Sequence, residues 1–362
     1  AIAIAGATLV KDGSFDFTSK YSSFTVDKIA VKVTANSASS VASVTLKYPN
    51  SSGTTVSSAA VLANPTVEPF ATATFTGLTF YIPQNTTKKL DVYVDLASIQ
   101  TDSDSGKSVT VTLGDDGGYR NTDSSGAVST NLASGDLAST ATGGKGTVYV
   151  RKSVPTLSAV ALDTSVYNNG SNKVLGRVKV TADAAGDVSW AKMAFTINKT
   201  AAATIGATST VKLWQGSNIV AGFFATTTAG DTKGVALESF PVAAGSEGTS
   251  NLNLSFIATA EQTVAAGTSA TYELRGTLGG NASGVSIDVS IANAQTSAST
   301  TAKAAQVGAD QGSAGGTSAT PSLVWSDRSI VSSVHSLTSA DWTDDYLVRT
   351  LPLTIGNLAS TI

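Results

Sequence analysis

The sequence contains few residues that could carry out chemistry. It has no cysteine, one methionine and one histidine among 362 residues, which excludes disulfides, cysteine-based zinc sites and thiol nucleophiles. The histidine, His335, follows two serines, and Asp341 comes shortly after it. Serine is so common here that this proximity carries no information, and no Gly-x-Ser-x-Gly elbow is present. We therefore expect His335 to lie at the surface or in a turn, and we assign no catalytic residue and no enzymatic activity.

Acidic residues cluster in two segments that could bind calcium. Asp102 and Asp104 precede Gly106 in an oxygen-rich loop of the kind that calcium prefers. The second cluster consists of Asp115, Asp116 and Asp123. Turns also require Asp and Gly for backbone reasons, so the sequence leaves a structural calcium and an ordinary turn both open. No other cofactor is predicted.

Three aromatic residues in the last part of the chain could form a sugar-binding site. Trp325, Trp342 and Tyr346 lie close together in sequence, and sugars stack on aromatic faces. Exposed, coplanar tryptophan rings would favour such a site. Buried rings would instead anchor the last strands, which is the more common role of tryptophan and the one we favour.

Asparagine begins an Asn-x-Ser/Thr triplet at several positions. In a chain this rich in serine and threonine such triplets arise by chance, and glycans are expected on them only if the host glycosylates its proteins. The triplets begin at Asn50, Asn85, Asn169, Asn198, Asn253 and Asn281.

Small side chains dominate the composition, since Ala, Ser, Thr and Gly make up about half of the chain. Charged residues are 14%, against about 25% in an average soluble protein. Hydrophobic residues at 41% are enough to form cores, which argues against disorder. A net charge of −3 argues against a nucleic-acid partner, because nucleic acid requires a basic surface.

The location of the protein follows from indirect signals. No stretch has the roughly 18 apolar residues of a transmembrane segment. The chain begins with Ala1 rather than Met, so we expect that a leader has been removed. A composition of small side chains without cysteine is typical of an exported protein, and we expect an extracellular or cell-surface location.

Apolar residues recur with a period of two along most of the chain. Residues 89–96, 109–113 and 285–291 alternate apolar with polar or charged side chains, as half-buried strands do. Turn clusters such as Asn168–Ser171 separate these segments, and no amphipathic helix is indicated. The sequence therefore predicts an all-β fold of two related immunoglobulin-like β-sandwich domains with apolar terminal strands.

An internal repeat supports two domains. The segment Val31–Asn36 recurs as Val178–Asp183, and the apolar positions after each segment align without a gap. A second block, 80–96, resembles 256–278. The Ser/Gly-rich segment that ends at residue 146 marks the boundary, which gives one domain over 1–146 and another over 147–362 with a Trp-containing tail over 321–362.

The first ten residues form a candidate donor strand. On one extended strand, Ile2, Ile4, Thr8 and Val10 would share a face. Such a segment is either an ordinary strand of its own domain or a strand donated to the open sheet of a neighbouring subunit. A subunit that donates a strand at one end and accepts one at the other assembles head to tail, and it forms a filament when the contact does not close.

Two stretches resemble repetitive immunoglobulin-like secreted cell-surface proteins of uncultured candidate-phylum bacteria. The first stretch begins with Arg151–Ser158 and ends with Thr181–Trp190. The second stretch begins with Val324–Ser329 and ends with Trp342–Thr343. The resemblance implies a cell-surface location and immunoglobulin-like domains. It implies no activity and no functional residues.

These observations predict a structural subunit of an extracellular polymer, either a pilus-like filament or an S-layer lattice. Its partner would be a second copy of the chain, joined by β-strand complementation. The alternative is a cell-surface adhesin or carbohydrate-binding module that recognises host-cell or matrix glycans through the three aromatic residues.

Overall fold

The regular elements that the structure describes are all β-strands. A computed structural model describes residues 1–34, 39–62, 70–99, 105–114, 118–130, 147–200, 202–206, 211–226, 252–293, 295–296, 321–330 and 334–362. Every regular element in these ranges is a strand, which confirms the predicted all-β class. The same ranges contain no helix that is long and apolar enough to span a membrane. The chain divides into unit 1, Ala1–Lys152, and unit 2, Ser153–Ile362.

The described residues of unit 1 form twelve strands in three sheets. The strands are β1 (Ile2–Ile4), β2 (Val10–Thr18), β3 (Phe24–Thr34), β4 (Val41–Pro49), β5 (Thr55–Ala60), β6 (Phe70–Ile82), β7 (Thr87–Leu96), β8 (Ser108–Val109), β9 (Val111–Leu113), β10 (Tyr119–Asp123), β11 (Val128–Ser129) and β12 (Val148–Arg151). The sheet orders are β2-β7-β4-β5, β11-β10-β3-β6 with β9 also on β3, and β1-β12-β8.

The two larger sheets of unit 1 pack face to face through the apolar positions of their alternating strands. Phe17 on β2 meets Phe80 on β6 edge to face, with ring centroids 5.1 Å apart. Tyr48 on β4 contacts the same ring at 5.6 Å. Unit 1 is therefore a sandwich with one continuous apolar core.

In the part of unit 2 that the structure describes, thirteen strands form two sheets. The strands are β13 (Pro155–Ala159), β14 (Gly170–Ala182), β15 (Val188–Lys199), β16 (Thr204–Ile205), β17 (Lys212–Gln215), β18 (Asn218–Ile219), β19 (Gly222–Thr226), β20 (Leu252–Val264), β21 (Ser269–Gly279), β22 (Ser286–Ile291), β23 (Leu323–Ser326), β24 (Trp342–Thr343) and β25 (Leu353–Ala359). One sheet has the order β13-β14-β21-β17-β18 with β16 on β21, and the other β19-β20-β15-β22-β25 with β23 on β15 and β24 on β23.

Aromatic rings fill the space between the two sheets of unit 2. Trp190 on β15 meets Tyr272 on β21 edge to face at 5.0 Å, and both are buried. The tail over 321–362 is part of this sandwich, because β23 pairs with β15 and β25 pairs with β22. Unit 2 is therefore a second sandwich that includes the tail.

The internal repeat appears in the order of the strands but not in their pairing. Strands β3, β4, β6 and β7 correspond in sequence to β14, β15, β20 and β21. In unit 1, β3 pairs with β6 and β4 pairs with β7. In unit 2, β14 pairs with β21 and β15 pairs with β20. The duplicated pattern thus fixes which positions are buried in both copies, while the hydrogen-bonding partners are exchanged.

The first ten residues do not form a single strand. Ile2–Ile4 pairs in parallel with β12, whereas Val10 begins β2, which pairs with β7 in another sheet. Between these strands Gly6 and Leu9 have φ angles of 82° and 52°, which an extended strand cannot contain. The prediction that one strand carries Ile2, Ile4, Thr8 and Val10 on one face is therefore wrong, and Thr8 lies in the exposed turn.

The side chains of this segment also face differently from the prediction. Ala3 and Ala5 pack against the core of unit 1, together with Val10. Ile2 and Ile4 are half-buried on the other side of β1 and are not part of that core. The small residues thus face inward and the isoleucines face away from the core.

The boundary between the units lies slightly after the predicted position at residue 146. Strand β12 pairs with β1 and β8, so Val148–Arg151 belongs to unit 1. Unit 1 ends at Lys152, and β13 begins unit 2 at Pro155.

Candidate functional site

The single histidine lies in a buried cluster of charged side chains in unit 2, which we call the histidine cluster. The elements that supply it are β20, β23 and the segment between β23 and β24. Its members are Glu261, Ser326, Arg328, His335 and Asp341.

Both ring nitrogens of His335 contact carboxylates. The Nδ1 atom lies 2.7 Å from Oε2 of Glu261, and the Nε2 atom lies 2.9 Å from Oδ1 of Asp341. The Oγ atom of Ser326 is also 2.9 Å from Nε2. The guanidinium of Arg328 donates to Glu261 at 2.7 Å, so two cations face two anions. His335 is buried, so the expectation of a surface position is wrong. The charged and polar partners compensate the cost of burying its ring.

The charges in the cluster stabilise one another. Burial opposes the charged form of His335, but hydrogen bonds and charges from Asp341 and Glu261 raise its pKa above the usual value. Burial likewise opposes ionisation of Asp341, yet hydrogen bonds from His335 and Ser326 lower the pKa of its carboxyl. Burial also opposes ionisation of Glu261. The pKa of its carboxyl is nevertheless lowered by hydrogen bonds from Ser189 and Arg328 and by the charge of His335. These shifts, and the placement of both ring nitrogens against carboxylates, favour ionised acids and a doubly protonated His335.

This protonation state decides what the cluster can do chemically. A serine nucleophile needs an imidazole nitrogen that accepts its proton. Ionised carboxylates only accept hydrogen bonds, so both nitrogens of His335 are donors. Ser326 is also fully buried, and its Oγ accepts a hydrogen bond from the backbone N–H of Arg328 at 2.9 Å. As arranged, the cluster fastens the tail of unit 2 to β20 and does not form a catalytic triad.

The predicted sugar-stacking residues do not form an accessible surface. The rings of Trp325 and Trp342 are fully buried. Their indole N–H groups donate to the backbone oxygens of Asp344 and Ser336, at 2.8 and 3.0 Å. Tyr346 is half-buried. The alternative of a glycan site at these residues is therefore not supported, because both tryptophan rings are buried, as in the favoured role of anchors for the last strands.

Of the candidate calcium ligands, the structure describes only Asp123. Its Oδ1 atom accepts hydrogen bonds from the backbone N–H groups of Ser125 and Ala127, at 2.8 and 2.9 Å, in the turn between β10 and β11. This is the turn-forming role that the sequence left open. The other four lie outside the described residues: Asp102, Asp104, Asp115 and Asp116. Within the described ranges, no group of three or more acidic or histidine side chains could hold a metal ion.

The Asn-x-Ser/Thr positions differ in their accessibility. Asn85, Asn169 and Asn198 are exposed, while Asn50 and Asn281 are half-buried. The side-chain oxygen of Asn50 caps a turn by accepting from the backbone N–H of Ser52 and of Thr54, both at 3.0 Å. Asn253 lies on β20, and its side chain is outside the described part of the structure. The exposed positions remain candidates for glycosylation.

Sequence reasoning did not find a row of side chains across the outer face of one sheet in unit 2. Four residues lie directly opposite one another on β14, β21, β17 and β18, and we call them the sheet row: Arg177, Glu273, Trp214 and Ile219. Glu273 pairs with Arg177 at 2.6 Å and also with Arg275, whose guanidinium lies 4.7 Å from the ring centre of Trp214. Ile219 is 53% exposed.

The sheet row combines an aromatic ring, an aliphatic side chain and alternating charges on one solvent-facing strip. The hydrogen bond to Asp163, together with the hydrogen bond and charge of Glu273, raises the pKa of Arg177, although burial acts in the opposite direction. The indole N–H of Trp214 is buried and has no hydrogen-bond partner among the described residues. A signal was present in the sequence, because the period of a strand places Trp214 on the same face as Lys212 and opposite to the buried Leu213.

Comparisons with known proteins assign no family. The chain matches no protein-family model, and no curated protein matches it. It is weakly similar to the C-terminal domain of the antigen I/II polypeptide BspA of Streptococcus agalactiae, at 10% identity and a TM-score of 0.17 over 80% of this chain and 89% of that one. The antigen I/II-family protein AspA of Streptococcus pyogenes gives 9% identity and a TM-score of 0.17 over 77% and 94%. The B domain of a biofilm-associated protein gives 10% identity and 0.19 over 80% and 83%.

Proposed function

We propose that this chain is a non-enzymatic module of the extracellular cell surface that binds glycans through the sheet row. The proposal is supported chiefly by the strip of half-buried Trp214, exposed Ile219 and ordered charged side chains on the outer face of the sheet. A ring and an aliphatic group offer contact to the apolar face of a sugar, and fixed arginine and glutamate side chains offer donors and acceptors to its hydroxyls. The composition of small side chains and the resemblance to secreted surface proteins agree with this location.

A glycan array tests the adhesive function. The full chain is expected to bind a subset of the arrayed glycans, and Trp214→Ala is expected to abolish that binding. The matched control is Phe223→Ala, since Phe223 is a partly exposed aromatic residue on β19 in the other sheet of unit 2. Failure of the full chain to bind any glycan, or equal loss in both variants, would contradict the proposal.

A second candidate function is self-assembly into a surface polymer, and the placement of β1 favours it. This strand has only three residues, lies at the edge of its sheet and joins β2 through the turn that contains Gly6. The β12 edge that receives it could receive the same segment of another copy, as in strand exchange. Ile2 and Ile4, which do not join the core, would then contact the neighbouring subunit.

Electron microscopy and light scattering of the full chain test self-assembly. Filaments or sheets are expected for the unmodified chain and not for Ile4→Asp. Ile362→Asp places the same change on an exposed isoleucine far from β1 in sequence and is expected to leave assembly intact. Monodisperse single subunits in all three samples would refute the polymer.

A further inference from the structure

A second buried pair of charged residues lies outside the histidine cluster. Lys192 is on β15, opposite Ile257 of β20 and Val324 of β23, and its side chain is fully buried. A lysine almost never occupies such a position unless a partner compensates its charge. Its position between two apolar neighbours in the middle of a sheet leaves its ammonium group shielded from water.

The partner is Asp345, which is also fully buried. Its Oδ2 atom accepts a hydrogen bond from the backbone N–H of Ser322 at 2.9 Å, and its Oδ1 atom accepts one from the backbone N–H of Gln295 at 3.2 Å. The backbone oxygen of Ser322 in turn accepts from the N–H of Ala194 on β15, at 2.7 Å. These contacts hold the carboxyl group beside β15, and its negative charge acts on Lys192.

The electrostatics of the site favour a reactive amine. Burial lowers the pKa of Lys192 to about 7, although the negative charge of Asp345 acts in the opposite direction. About half of the molecules therefore carry a neutral amine at pH 7. A lysine desolvated in this way is a nucleophile, whereas an exposed lysine is protonated and unreactive.

We propose that Lys192 and Asp345 condense to form an intramolecular amide bond between β15 and the tail. The ammonium group first transfers a proton to the carboxylate, which gives a neutral amine and a carboxylic acid. The lone pair of Nζ attacks Cγ of Asp345, and the negative charge that develops on Oδ2 is stabilised by the N–H group of Ser322. Nζ then passes a second proton to the hydroxyl at Oδ1, and the bond between Cγ and Oδ1 breaks as the carbonyl at Oδ2 re-forms. One water molecule leaves, and no oxidant or other reactant is consumed.

The fold supplies what this condensation needs. Both groups are held in place by a sheet and by backbone hydrogen bonds, so the reaction is intramolecular and pays little orientational entropy. Burial excludes the bulk water that would favour the separate acid and amine. The bond would also join β15 covalently to the tail that the histidine cluster fastens by ion pairs.

Mass spectrometry of the intact full chain tests the bond directly. After incubation at pH 8, the folded protein is expected to weigh less than its sequence by one water molecule. Proteolytic fragments should include a branched peptide that contains both Lys192 and Asp345. Lys192→Met and Asp345→Ala should each restore the full mass. The matched control Lys199→Met, on the same strand, should keep the deficit.

The mass and the peptide map of the unmodified chain test the bond even where a variant fails to fold. A full mass in folded, incubated protein would overturn the proposal. A deficit that maps to other residues, or one that persists in Lys192→Met, would overturn it as well.

Discussion

A buried carboxyl group in unit 1 should make the stability of that unit depend on pH. Asp12 lies on β2, at the point where the register with β7 shifts, and is only 3% exposed. Burial raises the pKa of this carboxyl from 3.8 to about 7. The folded state therefore holds its proton more tightly than the unfolded state does. The contribution of Asp12 to stability is complete below pH 3.8 and is lost as the pH rises to about 7.

The size of the effect follows from the pKa difference. At about 1.4 kcal/mol per pKa unit, the ionised carboxyl costs the folded state on the order of 4 kcal/mol above pH 7. Asp12→Asn keeps the shape of the side chain and cannot ionise. The variant and the unmodified protein should be equally stable near pH 4, and the variant should be more stable by several kcal/mol near pH 8.

Denaturant unfolding at a series of pH values measures this difference. Far-ultraviolet circular dichroism follows the whole chain. The four tryptophans (Trp190, Trp214, Trp325 and Trp342) all lie in unit 2, so tryptophan fluorescence reports the unfolding of unit 2 alone. At each pH, the transition followed by fluorescence should be the same in Asp12→Asn as in the unmodified chain. Asp16→Asn, exposed on the same strand, is the matched control. A stability difference between Asp12→Asn and the unmodified chain that stays constant with pH would refute the reasoning.

Three further predictions concern unit 2, and denaturant unfolding followed by tryptophan fluorescence measures each of them. The pKa of His335 is raised in the folded state, so its stabilising contribution is complete below about pH 6.5 and is lost as the pH rises through the folded value. His335→Gln should therefore be less stable than the unmodified chain at acidic pH, and this difference should become smaller at alkaline pH. A difference that stays constant with pH would contradict this. Trp190→Ala removes the ring that contacts Tyr272 and should destabilise the unit by about 3–5 kcal/mol, and a loss below about 1 kcal/mol would show that the contact is not part of the core. Gly356→Ala would place a methyl group against the backbone oxygen of Leu175 and should destabilise the unit, whereas unchanged stability would show that the backbone shifts freely.

The sequence was sufficient to predict which positions of the repeated strands are buried. Val31 and Val33 in the first copy and Val178 and Val180 in the second copy are all buried. A period of two predicts which side chains face the core, but it does not predict which strand pairs with which. The exchange of partners between β3–β6 and β14–β21 could therefore not be predicted from the repeat.

The candidate site was harder to predict for a different reason. Glu261 and Arg328 are far from each other in sequence, and only the fold brings their charges to His335. A buried lysine such as Lys192 stands out only as a charged residue within the apolar segment 188–197. The role of the tryptophans could be inferred, because a large apolar ring is more often a core residue than an exposed one.

The parallel pairing of β1 with β12 determines how unit 1 would respond to a pulling force. Tension between Ala1 and Lys152 draws β1 toward its first residue and β12 toward its last, in opposite directions along adjacent strands. The hydrogen bonds from Tyr149 N–H to the oxygen of Ala1, at 2.7 Å, and from Ala5 N–H to the oxygen of Arg151, at 2.9 Å, would then be loaded together in shear. A pair of strands loaded in shear must break its bonds at once, whereas a hairpin pulled at its open end breaks them one at a time. The shortest terminal strand of unit 1 is thus placed where it resists mechanical extension.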